Sequence, residues 1–458
     1  MMIRILCLLT ALFPLLSAGQ TTFEKGEFKK WAQTPPMGWN SWDCYGPTVE
    51  EHEVKANADY MAKNLKKYGW EYVVVDIRWF VENDKAGGYN QTDQRYVIDE
   101  FGRYLPAVNR FPSARDGKGF KELADYVHKK GLKFGIHIMR GVPKVAVERK
   151  LPVKGTNGIT ADQIFSEELQ CVWLRDNYTV VADRPGAQEY YNSLFELYAE
   201  WGVDFIKIDD LSRPYHKNEI ELIRNAIDAC GRPIVLSTSP GATPVDFAWH
   251  VKEHANMWRM VDDVWDEWRY LPHLIDVCQE WYPYIQAGTW PDCDMIPLGK
   301  ISIRGERGEE RMSRLSKDEQ YTLMTLFTIF KSPLMFGGDL PSMDPFTLSL
   351  LTNKEVLQMH REASQVRQLM NSDGKVVITS KSEKTGEIYL AFFNISDDES
   401  SKEIKIDLTE HNYKGEYTVV DLWSGQKSGT VSGTMSRRIA PHGCGLYRLF
   451  PLLSGVDR

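Results

Sequence analysis

The chain has 458 residues, which is too long for one average domain and suits a large domain followed by a smaller one. Hydrophobic residues make up 43% and charged residues 26%, as in ordinary folded proteins, and the net charge is −8 without a long basic run. This balance argues against nucleic acid and anionic membrane surfaces as partners. Aromatic residues reach 12%, with 14 tryptophans, which suits a large core and also a cleft that stacks sugars on flat rings.

The N-terminus has the pattern of a secretory signal peptide. Arg4 provides a positive start, residues 5–16 form an apolar run, and Ser17-Ala18-Gly19 is a stretch of small residues suited to cleavage. The apolar run is too short to cross a bilayer, because a spanning helix needs about 20 apolar residues. We therefore predict that residues 1–19 are a cleaved signal peptide and that the mature protein is secreted or periplasmic.

Residues 31–362 alternate short apolar runs with helical stretches. Helices predicted over residues 54–68, 120–130 and 188–201 each stop at a glycine. The apolar runs are almost continuous, as expected for parallel strands buried on both faces. The predicted strands are residues 37–39, 72–75, 133–138, 204–208, 233–237, 257–261, 284–290 and 332–337. Eight such units predict a catalytic (β/α)₈ TIM barrel. An open doubly wound sheet is disfavoured because this chain lacks a glycine-rich phosphate loop.

Residues 366–452 have a different pattern, with short strands separated by turns. Strands are predicted over residues 376–379, 388–394, 402–408 and 417–423, and turn signals such as Ser372-Asp373-Gly374 and Lys384-Thr385-Gly386 lie between them. This spacing predicts a C-terminal antiparallel β-sandwich.

Acidic residues recur where the predicted barrel strands end. These ends meet at one mouth of a TIM barrel, where active sites lie. Asp76, Asp209 and Asp263 follow the second, fourth and sixth strands. Lys207 and Arg259 lie among them, which disfavours a metal ion, so we predict no metal site. Two carboxyl groups that flank a bond are instead what glycoside hydrolysis requires.

In that chemistry one carboxylate attacks the anomeric carbon and the other carboxyl group donates a proton to the leaving oxygen. A cation such as Lys207 would keep its neighbour ionised. Any single aspartate here is also explained as a helix N-cap or a loop acceptor. Trp42 is also explained by barrel packing and His137 by a core position. The acidic residues taken together, each at the end of a strand of one barrel, favour an active site.

Several motifs resemble glycoside hydrolase family 27, the family of α-galactosidases and α-N-acetylgalactosaminidases. The likeness runs from about residue 34 to the end of the chain. It rests on Thr34-Pro35-Pro36-Met37-Gly38-Trp39-Asn40-Ser41-Trp42, Gly131-Leu132-Lys133-Phe134-Gly135-Ile136, Asp204-Phe205-Ile206-Lys207-Ile208-Asp209, Trp258-Arg259 followed by Asp263, Trp290-Pro291-Asp292-Cys293-Asp294-Met295, and Ser332-Pro333-Leu334-Met335-Phe336.

The resemblance implies a retaining mechanism without a cofactor, with Asp209 as nucleophile and Asp263 as general acid/base. Retention would place their carboxyl groups about 5–5.5 Å apart. Asp76 would bind the hydroxyls at C4 and C6, and Arg259 would contact the sugar near C2. The residues predicted to bind the carbohydrate substrate are Trp42, Asp76, His137, Lys207, Ser239, Arg259 and Asp294.

Two departures from the family pattern concern the sugar. The family usually has two adjacent aspartates after strand two, whereas the second position here is Ile77, which removes an acceptor from the C4/C6 end of the pocket. After strand five, Ser239 and Ala242 give a small-residue pattern similar to that of the acetylgalactosaminidase branch.

The first expectation for function is a retaining, exo-acting α-galactosidase. Two alternatives keep the chemistry and change the sugar. One is a β-L-arabinopyranosidase, whose substrate has the galactose ring stereochemistry without the C6 hydroxymethyl group, and the other is an α-N-acetylgalactosaminidase. A barrel that binds glycans without cutting them is the alternative of another class.

Overall fold

The computed structural model describes residues 22–398 and 400–452. The predicted signal peptide lies outside the described residues. Within the described ranges, no helix has the length and apolar character that a membrane span requires.

Eight parallel strands form a closed barrel, as predicted. They are β1 (Met37–Asn40), β2 (Tyr72–Val75), β3 (Lys133–Met139), β4 (Phe205–Asp209), β5 (Val235–Thr238), β6 (Met257–Arg259), β7 (Trp290–Asp292 with Met295–Ile296) and β8 (Leu334–Phe336). Each strand from β1 to β6 pairs with the next, and β8 pairs with β1. The first piece of β7 pairs with β6 and the second piece with β8, so β7 closes the ring.

The seventh strand begins later than the sequence predicts. Tyr282–Tyr284 is a turn of 3₁₀ helix that contains Pro283, which has no N–H to offer a neighbouring strand. The strand starts at Trp290, whose N–H donates to the carbonyl of Asn256 at 2.8 Å. The apolar and aromatic character of residues 284–290 therefore reflects packing ahead of the strand.

Helices alternate with the barrel strands. Those in the described ranges are α1 (Trp42–Tyr45), α2 (Glu51–Asn64), α3 (Lys121–Lys129), α4 (Lys144–Glu148), α5 (Ala187–Trp201), α6 (Lys217–Ala229), α7 (Ala248–Val251), α8 (Tyr270–Trp281), α9 (Lys317–Phe330), α10 (Pro345–Leu351) and α11 (Lys354–Glu362). The predicted stop after α5 is confirmed, because Gly202 takes a φ of 83°, which suits a residue without a Cβ.

Large side chains fill the inside of the barrel, which makes it a packed core and not a channel. Tyr72, Phe205, Val235, Met257 and Met335 form one buried cluster there, each less than 5% exposed. The functional groups must therefore gather above this cluster, at the carboxyl ends of the strands.

The C-terminal part is an antiparallel β-sandwich, as predicted. Its strands are β9 (Ala363–Ser372), β10 (Lys375–Ser382), β11 (Ile388–Asn394), β12 (Lys402–Asp407), β13 (Glu416–Asp421), β14 (Lys427–Ser432), β15 (Thr434–Ile439) and β16 (Cys444–Pro451). The order β9-β10-β11-β16-β13-β14 forms one sheet, and β12 pairs with β15. The sequence pattern did not identify β9, β14, β15 or β16, and β14 in particular is largely exposed and lacks an apolar alternation.

The sandwich packs against helix α9 of the barrel. The indole Nε1 of Trp423 donates to Thr325 Oγ1 at 2.8 Å, and the ring of His442 stacks on Trp268 with centroids 3.9 Å apart. Aromatic rings and hydrogen bonds thus join the two parts of the chain.

The core of the sandwich should carry much of its stability. Leu390 is completely buried between the sheets, and Leu390→Ala should lower the free energy of unfolding in urea by about 2–5 kcal/mol through lost burial and a residual cavity. Leu452 is 45% exposed, and Leu452→Ala should change that free energy by less than about 0.5 kcal/mol. Equal losses in the two variants would contradict the assignment of this core.

Candidate active site

The carboxyl ends of the barrel strands open into a cavity of about 650 Å³. Six of the predicted site residues line it: Trp42, Asp76, Lys207, Asp209, Arg259 and Asp263. The other three, His137, Ser239 and Asp294, are at most 2% exposed and contact lining residues from behind. Most of the predicted set is therefore brought together, and the rest forms a second layer.

Lys207 lies between two carboxylates. Its Nζ is 3.0 Å from Asp76 Oδ2 and 3.8 Å from Asp209 Oδ1. Lys207 and Asp209 are two residues apart on β4, so the alternation of the strand places both side chains on one face. His137 is the register partner of Lys207 on β3, and its Nε2 lies 2.9 Å from Asp209 Oδ2.

These neighbours set the charge of Asp209. Burial alone would raise its pKa, but the charge of Lys207, followed by the contacts with His137 and the charge of Arg259, outweighs burial and lowers the pKa to about 2. The same attraction holds the pKa of Lys207 above its ordinary value, although burial opposes it. Asp209 is therefore an ionised carboxylate with a side chain only 6% exposed.

The opening motif of the barrel holds Asp76 in place. Asn40 Nδ2 donates to Asp76 Oδ2 at 2.7 Å, and the backbone N–H of Asp76 donates to Ser41 Oγ at 2.9 Å. Asn40 Oδ1 also accepts from the backbone N–H of Trp42 at 2.8 Å. Asn40 and Ser41 were not among the predicted site residues, although the motif that contains them was recognised.

Arg259 connects the carboxyl group of Asp263 to buried side chains of the barrel. Its Nη2 lies 3.1 Å from Asp263 Oδ1, its Nη1 lies 2.7 Å from Asp294 Oδ1, and Ser239 Oγ is 3.4 Å from Nη1. The side chain of Asp263 is 36% exposed, so this carboxyl group is far more open to solvent than that of Asp209. The two carboxyl groups therefore lie in contrasting environments.

Asp294 supports the loop that carries Asp263. Its Oδ2 accepts from the backbone N–H of Val264 at 2.6 Å. Burial raises the pKa of Asp294 to about 7; Arg259 opposes this rise, and the charges of Asp263 and Asp292 add to it. Asp294 thus acts on the cavity through its neighbours.

Loop residues complete the cavity wall. Trp42 stacks on Tyr89 with centroids 5.8 Å apart, and Tyr89 lies 6.0 Å from Trp173. Ile77 is 1% exposed and lines the cavity directly after Asp76. Tyr89 and Trp173 were missed because they lie in long connections without a strand or helix period.

Comparisons with known proteins agree with this architecture. The family model described as "Alpha galactosidase A" matches residues 34–147 and 150–362, and the model described as "Alpha galactosidase C-terminal beta sandwich domain" matches residues 373–449. The α-galactosidase A of Cellvibrio japonicus is 27% identical over 465 residues, which cover 95% of this chain and 96% of that protein. The α-N-acetylgalactosaminidase of Gallus gallus is 26% identical over 72% of this chain and 71% of that protein.

A solved structure is similar over nearly the full length. The crystal structure of a glycoside hydrolase family 27 β-L-arabinopyranosidase from Geobacillus stearothermophilus, in complex with arabinose, is 49% identical to this chain. The match has a TM-score of 0.91 and covers 93% of this chain and 99% of that one. The chain therefore belongs to glycoside hydrolase family 27, the α-galactosidase family, and is a glycosidase.

Proposed function

We propose that this glycosidase is retaining and exo-acting, with Asp209 as nucleophile and Asp263 as general acid/base. The observation that carries this assignment is the contrast between the two groups. Asp209 is buried and held ionised beside Lys207, whereas Asp263 lies at the more open side of the same cavity. A carboxyl group that acts as nucleophile must be ionised, and an acid/base must exchange protons with the leaving group and with water.

The reaction then proceeds in two displacements. In the first, an oxygen of Asp209 bonds to the anomeric carbon as the glycosidic bond breaks, and Asp263 gives its proton to the departing oxygen. In the second, Asp263 takes a proton from water, the water oxygen bonds to the anomeric carbon, and Asp209 leaves as a carboxylate. Lys207 and Arg259 stay charged throughout and position the two carboxyl groups.

We propose a terminal β-L-arabinopyranoside as the preferred substrate. Ile77 places an apolar side chain beside Asp76, where a second carboxylate would bind the C6 hydroxyl of galactose. A site that offers no partner to a buried hydroxyl discriminates against it. The arabinopyranoside has the same ring stereochemistry without that group, and the Geobacillus stearothermophilus relative is named for this activity.

An α-galactoside remains the second candidate substrate. The matching family model and the Cellvibrio japonicus relative carry that name. An α-N-acetylgalactosaminide is the third candidate. It ranks below the other two because Ser239, on which its sequence argument rests, is 1% exposed and contacts Arg259.

The choice of sugar can be tested at Ile77. The wild-type enzyme should hydrolyse nitrophenyl β-L-arabinopyranoside with a higher kcat/KM than nitrophenyl α-galactoside. Ile77→Asp should shift the ratio of the two kcat/KM values toward the galactoside by about 10²-fold or more, because it restores a partner for the C6 hydroxyl. Ile77→Val is the control and should keep the wild-type preference. A wild-type preference for the galactoside would reverse the order of the two candidates.

The role of Asp209 can be tested by chemical rescue. Asp209→Gly should reduce kcat by about 10⁴-fold or more with an activated nitrophenyl glycoside, because no covalent intermediate can form. Azide should restore turnover and yield a glycosyl azide of inverted configuration, while NMR of the first wild-type product should show retention. Asp125→Asn, on helix α3 with a side chain 44% exposed, is the control and should stay active. An inverted wild-type product would refute the mechanism.

The electrostatic role of Lys207 predicts a change in the pH profile. Asp209 has a pKa of about 2, so its ionisation should not limit kcat/KM of the wild-type enzyme above about pH 3. Lys207→Gln removes the largest factor that lowers this pKa, so the acid limb of the profile should move up by about one to two pH units. Lys217→Gln, on the exposed face of α6, is the control. An unmoved acid limb in Lys207→Gln would contradict the proposed coupling.

A further inference from the structure

A second cleft lies beside the mouth of the catalytic cavity and has a volume of about 500 Å³. It is formed by residues 92–96 of the loop after β2, by the region of α4, and by the loop that precedes the strand at Asn177–Val180. Its lining contains four cationic side chains, Arg95, Lys144, Arg149 and Arg175, and two carboxylates, Asp93 and Glu148. Cations thus dominate this cleft, although the chain as a whole carries a net charge of −8.

The cleft and the catalytic cavity share a wall. Gln91 and Trp173 line the cavity, whereas Thr92 and Arg175, one and two residues further along the same loops, line the cleft. Gln91 Nε2 donates to the carbonyl oxygen of Trp173 at 3.2 Å and joins the two loops. A chain of sugars that leaves the cavity over this wall therefore meets the cationic cleft.

The positive charge of the cleft is poorly compensated within the protein. Among residues 22–398 and 400–452, Lys144, Arg149 and Arg175 form no ion pair, whereas Arg95 pairs with Glu82 at 3.7 Å. Burial lowers the pKa of Lys144, and the charge of Arg175 lowers it further.

Three carboxylates partly offset these effects on Lys144: Asp176 has the largest influence, followed by Glu148 and Glu167. Asp176 is already engaged, because its Oδ1 lies 2.5 Å from Arg78 Nη2 and also accepts from Tyr96. An anion in the cleft would therefore relieve the repulsion between Lys144, which is half-buried over the ring of Tyr178, and the exposed side chain of Arg175.

We propose that this cleft binds the carboxylate of a uronic acid in the part of the substrate beyond the cleaved sugar. The proposal rests on the proposed function and extends it, because it names the substrate as an acidic oligosaccharide or polysaccharide with a neutral terminal sugar. Arginine binds a planar carboxylate in a bidentate manner, and Lys144 adds a point charge. The catalytic cavity would bind the terminal sugar, and the cleft would bind the carboxylate of a later sugar in the same chain.

The test compares a uronate-containing oligosaccharide with its methyl ester, which has the same sugars but no negative charge. For the wild-type enzyme, KM for the acid should be about threefold to tenfold lower than KM for the ester, the range expected for exposed ion pairs. The double variant Lys144→Gln/Arg175→Gln should remove this difference and leave kcat/KM on the nitrophenyl glycoside unchanged. Lys405→Gln, on the sandwich with a side chain 60% exposed, is the control and should behave as the wild type.

The possible results distinguish failure of the proposed cleft from failure of the proposed catalytic function. Equal KM values for acid and ester in the wild type would overturn the proposal, as would a difference that survives in the double variant. A preference for a sulfated oligosaccharide without one for the uronate would overturn the assignment to a carboxylate. If no glycoside is hydrolysed, calorimetric titration of the uronate oligosaccharide and its ester into the wild type and the double variant still tests the cleft alone.

Discussion

The site depends on the interaction of the Lys207 ammonium group with the carboxylates of Asp76 and Asp209. This ammonium group lies within 3.8 Å of two carboxylates on the wall of the cavity, where its side chain is only 12% exposed and an uncompensated charge would be costly. β4 carries Lys207 and Asp209 on one face, and Asp76 directly follows β2, which is separated from β4 only by β3. The strand order of the barrel therefore brings the three charges together. The cation keeps Asp209 ionised although that side chain is buried, and His137 completes its surroundings.

The part of the site around Asp263 depends on a different set of charges. Arg259 is shared between Asp263 and Asp294, and the backbone of the Asp263 loop is tied to Asp294 through Val264. This arrangement holds Asp263 in place while one side of it stays open to solvent. Two carboxyl groups of the same type thus receive different environments, as the proposed division between nucleophile and acid requires.

The features to which we assign the proposed specificity surround this charged centre. Ile77 gives one end of the cavity an apolar wall, and the loops that carry Tyr89 and Trp173 form its rim. The barrel provides the chemistry, whereas substitutions and loops at its mouth decide which glycoside fits. Members of one family can therefore share a mechanism and differ in the sugar that they release.

The sequence alone determined the barrel, the sandwich and the positions of Asp209 and Asp263, because strand periodicity and the residue that follows each strand are local properties. It did not distinguish residues that line the cavity from those that support it: His137, Ser239 and Asp294 lie in or beside the carboxyl ends of barrel strands, as Asp209 does, yet lie behind the lining. Only the tertiary structure decided this, and it also brought Tyr89 and the cationic cleft to the mouth. Contacts between distant segments depend on how loops without periodicity pack, and no local pattern encodes that packing.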